Sequence, residues 1–127
     1  MDIQYQTDLE GICAEHLAHF CVGWQHPIYG NEMYTILENS YSIVLAKDGN
    51  RVIGFINALS DGLKFAFIPM LKVLPEYQKR GIGTKLFNIL LKSLGDIPNI
   101  DLTCEETLQR YYERFGMLKS YGMVFRK

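Results

Sequence analysis

Between Met70 and Thr84 the chain reads Met-Leu-Lys-Val-Leu-Pro-Glu-Tyr-Gln-Lys-Arg-Gly-Ile-Gly-Thr, and no other stretch restricts the available folds as much. An apolar strand has to stop at Pro75, because proline fixes φ and has no amide to give to a ladder. Lys79 and Arg80 lead into a short turn with Gly81 and Gly83. From there Ile82, Leu86, Phe87, Ile89, Leu90, Leu91 and Leu94 recur at helical spacing. The reading is a strand, a loop of phosphate size and the start of a helix. The first amides of a helix have no intrahelical partner and sit at the positive end of its dipole, so they attract anions. Glycine there removes the Cβ that would hold a bulky ligand off the backbone.

The flanking sequence predicts what surrounds this unit. Ile3–Gln6 alternates like a short strand, and Leu9, Ile12, Cys13, His16, Leu17 and Phe20 fall on one face of an amphipathic helix capped by Thr7 or Asp8. Residues 21–30 form an irregular loop rich in aromatics, followed by a short helix from Asn31 to Glu38. Tyr41–Ala46 and Val52–Leu59 pair as a hairpin across Lys47-Asp48-Gly49-Asn50. After a Ser60-Asp61-Gly62 turn, Lys64–Leu74 is a long strand interrupted at Pro69, where a bulge, a splayed neighbour or an edge is expected. Gly95 and Pro98 stop the central helix, and Ile100–Cys104 supplies a strand that completes a right-handed parallel unit. Leu108, Tyr111, Tyr112 and Phe115 mark a final helix ended by Gly116, and Met117–Tyr121 with Met123–Arg126 reads as a last hairpin. With 127 residues and no linker or repeat, residues 1–127 are expected to form one domain.

Two nucleotide loops are excluded by spacing. A P-loop needs G-x-x-x-x-G-K-[ST], which Gly81-Ile82-Gly83-Thr84-Lys85 lacks, and a dinucleotide fingerprint needs a small residue where Leu86 stands. The pattern that fits is [QR]-x-x-G-x-[GA], filled by Gln78, Gly81 and Gly83 and preceded by Leu71, Val73 and Pro75 as L-x-V-x-P. With Tyr112-Glu113-Arg114-Phe115-Gly116-Met117 resembling Y-E-K-L-G-F, the chain resembles the GNAT superfamily of N-acetyltransferases over nearly its whole length. The resemblance implies an α/β (α+β) acyl-CoA N-acyltransferase fold. Such a fold has a mixed, mostly antiparallel central sheet, a parallel strand pair splayed at the cofactor site, and helices on both faces. It implies acetyl-CoA, or coenzyme A, as cofactor. Main-chain amides of Gln78, Lys79, Arg80, Gly81, Ile82, Gly83 and Thr84 would hold the pyrophosphate, and Leu71, Lys72 and Val73 would line the pantetheine arm.

The same resemblance places the oxyanion donor on the backbone amide of Leu71 and the thiolate's proton donor on Tyr112. A phenol with an ordinary pKa of about 10 is protonated at neutral pH and can serve in that way. Glu105 and Leu108 stand where many members carry Asn and Ala. That removes a usual cofactor contact and makes Glu105 either a group for the amine or a solvated first-turn residue complementing the helix dipole. On the acceptor side, Trp24, His26, Tyr29 and Tyr34 offer a surface for a flat or apolar amine, and Asp61 or Glu32 a carboxylate for a cation. Equally, Trp24 and Tyr29 pack the loop onto the core and Asp61 bonds its own turn. Trp24, Asn39-Ser40, Val52-Ile53-Gly54-Phe55 and Ser60-Asp61-Gly62 resemble a compact branch that includes plant-type arylalkylamine acetyltransferases.

The expectation is therefore an acetyl-CoA-dependent N-acetyltransferase acting on a primary amine of a small molecule by direct attack in a ternary complex. Its alternatives are a non-catalytic acyl-CoA sensor and a protein or peptide acceptor. With net charge -1 and a pI of about 6.3, no global positive field draws the chain to nucleic acid or an anionic membrane. Cys13, Cys21 and Cys104 have no metal-ligand spacing and are odd in number, which predicts no metal, no disulfide framework and a reducing, cytoplasmic setting. Asp2 and polar residues open the chain, so neither a signal peptide nor a membrane span is expected. An open sheet with edge strands makes a homodimer plausible.

Overall fold

The computed structural model describes residues 2–21 and 23–127. Five strands, β1 (Ile3–Gln6), β2 (Ser42–Asp48), β3 (Arg51–Ser60), β4 (Phe65–Val73) and β5 (Asn99–Asp101), form one sheet in sequence order. All neighbours are antiparallel except β4 and β5, which run parallel. The helices are α1 (Gly30–Glu38), α2 (Ile82–Leu94) and α3 (Gln109–Glu113), with single 3-10 turns at Ala14–Leu17, Pro75–Tyr77 and Glu106–Leu108. This is the acyl-CoA N-acyltransferase architecture that the sequence implies.

β2 and β3 are apolar along most of their length because both faces are covered. On one face α2 buries Leu86, Phe87, Leu90 and Leu94. Each side chain of that size contributes roughly 1.5–3 kcal/mol when fully buried. Close approach is permitted by Gly54, where a Cβ would stand 3.3 Å from Cδ1 of Leu86 and 3.0 Å from the Lys72 carbonyl oxygen. On the other face Phe20 packs edge-on against Phe55, with ring centroids 4.9 Å apart. The β2–β3 turn is tight because Gly49 takes φ 61°.

Four expectations change. The amphipathic helix over Leu9–Phe20 is replaced by the single turn at Ala14–Leu17. Gly11 adopts φ 73°, Asp8 Oδ1 accepts the Glu10 amide at 3.1 Å, and the Cys13 amide goes to His16 Nδ1 at 3.0 Å. Local side-chain bonds thus take amides that a helix would need, yet Ile12, Leu17, Phe20 and Cys21 still reach the core. The strand expected over Ile100–Cys104 pairs only at Asn99–Asp101. The final helix shortens to α3, preceded by the 3-10 turn at Glu106–Leu108. The terminal hairpin does not form: residues 117–127 carry no regular structure, and every one from Leu118 onward is exposed.

The interruption at Pro69 is a bulge. Asn57 faces Met70 and Leu59 faces Phe67, so Ala58 alone on β3 opposes Ile68 and Pro69 on β4. β4 pairs with β5 only through Phe65–Phe67. Beyond that point the two strands part, and the second half of β4 has β3 on one side and, among the described residues, no strand on the other.

Candidate functional site at the splayed strand and the glycine turn

Backbone parity decides what β4 presents to the gap. The Leu74 amide donates to the Ile53 carbonyl at 2.9 Å. In an antiparallel ladder bonded pairs alternate, so Lys72 opposite Phe55 is also a bonded pair, whereas Leu71 and Val73 turn their N–H and C=O groups away from β3. The Val73 carbonyl confirms the direction, because it accepts the side-chain amide of Gln78 at 2.9 Å. Gln78 therefore clamps the end of β4 to the turn that follows. The Leu71 amide and carbonyl and the Val73 amide face the gap.

The turn itself is braced from below. Tyr77 donates its hydroxyl to Asp48 at 2.6 Å, and Arg51 pairs with Glu76 at 3.2 Å, tying the segment to the β2–β3 hairpin. The guanidiniums of Arg51 and Arg80 stand 5.8 Å and 5.7 Å from the Tyr77 ring centroid. Lys79 at φ 65° and Gly81 at φ 79° are both left-handed. Gly81 is the N-cap of α2, and the first turn of that helix carries no acidic residue, so the positive end of its dipole is not neutralised locally.

Tyr111 completes the turn, a part that the sequence did not reveal. Its hydroxyl shares a 3.1 Å hydrogen bond with Thr84 Oγ1 and lies 3.4 Å from where a Cβ on Gly83 would be. The Arg114 guanidinium sits 4.9 Å from the same ring. Adjacent tyrosines on a helix point about 100° apart, and apolar spacing alone does not say which one faces the turn.

Tyr112 is half-buried against α2, near Cys104 in the chain after β5. Its ring lies 5.7 Å from Phe87 and 5.1 Å from Tyr111, and its hydroxyl makes no hydrogen bond among the described residues. Burial, with smaller contributions from Tyr111 and the Cys104 thiol, pushes its pKa up to about 12. The phenol is protonated throughout the neutral range. Free amides at the start of α2, the unneutralised helix end and the open edge at Leu71 and Val73 together fit an anionic headgroup with an extended, hydrogen-bonding arm.

Lys72 goes elsewhere. Its side chain shares the sheet face of Phe55, and Nζ lies 4.3 Å from the centre of the Trp24 ring. Burial lowers its pKa, opposed by the nearby Cys21 thiol. Asn57 belongs to the same face and is fully buried. Its Nδ2 donates to Ser40 Oγ at 3.1 Å, while Oδ1 has no partner. Nothing in the local sequence marks Asn57, since its burial depends on where α1 ends.

The remaining acceptor candidates are dispersed. Tyr34 lines a hollow of about 340 Å³ with Cys13 and Asn31. Tyr29 is exposed at the N-cap of α1, where its amide is capped by Glu32 at 3.3 Å, and His26 is exposed in the preceding loop. Asp61, beyond the opposite end of β4 from the turn, accepts the amides of Leu63, Lys64 and Phe65 at 2.8, 2.8 and 3.1 Å. Those bonds hold its carboxyl below the usual range. Glu105 is exposed at the N-cap of the Glu106–Leu108 turn, where its carbonyl accepts the Leu108 amide at 2.9 Å and its side chain makes no capping bond. A hollow of about 530 Å³ between β1 and the glycine turn is lined by Tyr5, Arg80, Gly81, Ile82 and Lys85 among others.

The family model of the GNAT acetyltransferases matches residues 9–117. The chain belongs to the GNAT acetyltransferase family. An uncharacterized N-acetyltransferase of Pyropia yezoensis, ycf52, is 28% identical over 124 residues, spanning 91% of this chain and 70% of that one. A crystal structure from Deinococcus radiodurans R1, classed as an acetyltransferase, superposes with TM-score 0.95 at 38% identity, over 99% of this chain and 89% of that chain. The aminoglycoside N-acetyltransferase AAC(6′)-Iy in complex with CoA shares the fold at TM-score 0.74 and 13% identity, covering 99% and 94% of the two chains. The splayed β4–β5 pair and the glycine turn of this GNAT chain thus lie inside the matched region. No helix among the described residues is long and apolar enough to cross a membrane, and none of their His, Cys, Asp and Glu side chains gather in threes to hold a metal.

Proposed function

We propose that residues 1–127 act as one N-acetyltransferase domain that passes the acetyl group of acetyl-CoA to a primary amine of a small molecule. The observation that carries this reading is the outward-facing backbone of Leu71 and Val73, in line with the unneutralised start of α2. The Gln78 amide is already given to the Pro75 carbonyl at 3.2 Å, so amides from Lys79 to Thr84 bind the pyrophosphate, and the β4 edge takes the arm as an added strand. Acetyl-CoA supplies an activated thioester when bound.

The outward Leu71 amide would supply a fixed donor to the charge that develops on an attacked carbonyl oxygen, which is where such a donor lowers a barrier most. Tyr112 would serve the sulfur of a bound thioester as a donor. A thiol ordinarily titrates near about 8.5, well below this phenol, so Tyr112 stabilises the thiolate as a hydrogen-bond donor. Full proton transfer needs the sulfur to be desolvated in the same cleft, which raises its own pKa. Asp61 and Glu32 are spent on the backbone amides of Lys64 and Tyr29, so neither is assigned as the base for the amine.

The test is calorimetric titration with acetyl-CoA, then thiol release over aromatic amines, polyamines, amino acids and peptides. Saturable binding with turnover of a small amine is expected. Turnover confined to peptides would reassign the acceptor. CoA binding without turnover of any amine would leave the sensor reading, and no CoA binding at high micromolar concentration would end both.

A further inference from the structure

Lys72 carries an ammonium that the fold half-buries without giving it a counter-ion. Nζ lies 4.3 Å from the centre of the Trp24 ring, and it donates no hydrogen bond among the described residues. The ion pair that those residues do form, Arg51 with Glu76, lies elsewhere. The titratable neighbour of Lys72 is the Cys21 thiol, not a carboxylate. Burial lowers the pKa of the amine, as it must for a charge withdrawn from water with no anion beside it. The Trp24 ring offsets part of that cost and fixes the side chain, while the three N–H donors of the ammonium are left over.

This cation stands beside the outward edge of β4. Residues directly opposite on paired strands share a face, so Lys72 and Met70 lie with Phe55 and Asn57, where Phe20 packs on Phe55. α2 covers the other face, and Tyr112 of α3 packs on Phe87 of α2. Leu71, with its outward amide, falls between Met70 and Lys72, and residues two apart on a strand are about 6.6 Å apart on one face. Past Met70 the strip is apolar and open, with Phe67 39% exposed opposite Leu59 at 44%. Asp61, beyond Ser60 at the end of β3, has its carboxylate bonded to the amides of its own loop. A fixed cation, an outward amide and an apolar strip therefore follow one another within the length of a small molecule.

We propose that Lys72, held beneath Trp24, binds the carboxylate of the acceptor, and that the acceptor is an α-amino acid with an apolar side chain. The carboxylate takes the Nζ donors, the α-amine reaches the Leu71 edge, and the side chain lies over Met70 toward Phe67. The pairing neutralises an ammonium that the protein alone leaves uncompensated, so the ligand completes the site. An amine without the acid brings a positive charge toward a positive group and leaves Lys72 unpaired, which is how the site rejects it. The inference rests on the proposed acetyl transfer for the fate of the amine, whereas the carboxylate site is measurable without turnover.

Trp24 is the single tryptophan of the chain, so its fluorescence reports on this site directly. The CoA-saturated protein is titrated with leucine and phenylalanine, with their amides, and with isoamylamine and phenethylamine, which keep the side chains and lack the carboxylate. Thiol release from acetyl-CoA is measured on the same set. At least one of the two acids should shift the emission saturably, with a Kd and a KM about 10- to 100-fold below those of its amide and its amine, the range of a hydrogen bond to a charged group. Lys72→Met, which keeps the apolar stem, should erase that difference, and Lys72→Arg should restore most of it. Equal affinities for acid, amide and amine in the wild-type protein overturn the proposal whatever the variants do, and so does a preference for the acid that survives Lys72→Met. Turnover of amines with no preference for the acid would remove this site and leave the acetyltransferase reading standing. An acid-dependent shift lost in Lys72→Met, with no acetyl transfer to any amine, would uphold the carboxylate site and end the acetyl-transfer reading instead.

Discussion

The hydroxyl of Tyr111 and Oγ1 of Thr84 lie 3.1 Å apart, joining α3 to the first turn of α2. This bond holds the helix start where it meets the end of β4, since a Cβ on Gly83 would stand 3.4 Å from that hydroxyl and 3.9 Å from Cγ2 of Val73. Replacing either partner, Tyr111→Phe or Thr84→Val, should raise the KM for acetyl-CoA by about two- to tenfold, the range of one net hydrogen bond of about 0.5–1.5 kcal/mol. kcat should change little. A fall in kcat with KM unaltered would show that the pair serves chemistry rather than the turn.

Gly83 and Gly81 should respond differently to alanine. A Cβ on Gly83 meets the Tyr111 hydroxyl at 3.4 Å, an ordinary contact, so Gly83→Ala should keep both fold and cofactor affinity within about twofold. Gly81 sits at φ 79°, where any L side chain costs about 1–2 kcal/mol, so Gly81→Ala should lower the melting temperature and weaken binding together. Equal effects at the two positions would contradict the backbone argument.

Tyr112→Phe should reduce kcat by about 10²–10⁴-fold while leaving CoA affinity unchanged. With the phenol at about 12, no limb of the wild-type rate profile between pH 6 and 9 belongs to Tyr112. The same group has a stability signature. Its folded pKa is above the unfolded value of about 10, so its contribution is fully present below pH 10 and lost as the pH rises toward about 12. Melting curves from pH 9 to 12 should fall less steeply for Tyr112→Phe, although Tyr5 and Tyr77, also raised, keep part of the slope. Identical slopes would show that Tyr112 is not desolvated in solution.

Asp61 carries a prediction of the opposite sign. Its carboxylate is held below the ordinary range by three backbone amides, so it stabilises the β3–β4 loop above pH 4 and loses that effect as acid protonates it. Asp61→Ala should melt earlier than wild type at pH 7, and the difference should close toward pH 2. Turnover at pH 7 should stay within about twofold, because the carboxylate is spent on its own loop. A large loss of turnover with unchanged melting would instead put Asp61 at the acceptor.

The strand, glycine turn and helix were legible because each is local: Pro75 ends a strand, Gly81 takes a left-handed φ, and α2 shows its buried face at a regular period. The bulge at Pro69 was legible for the same reason. What could not be read depended on competition or on distance. The apolar period over Leu9–Phe20 is helical, yet Asp8, Gly11 and His16 divert the backbone while the same side chains stay buried. Lys72 follows Leu71 in sequence but points to the other face, toward Trp24, and Asn57 is buried only because Ser40 at the end of α1 meets it. The terminal hairpin failed because alternation alone does not supply a partner strand within the same chain.

The central claim is that the start of α2 and the outward edge of β4 hold CoA together. Amide hydrogen exchange with and without saturating CoA tests both surfaces in one measurement. Exchange should slow at least tenfold at 81–84 and at the amides of Leu71 and Val73, with Lys72, already paired to β3, little changed. CoA that binds while leaving 81–84 and both outward amides exchanging at the free rate would contradict the account.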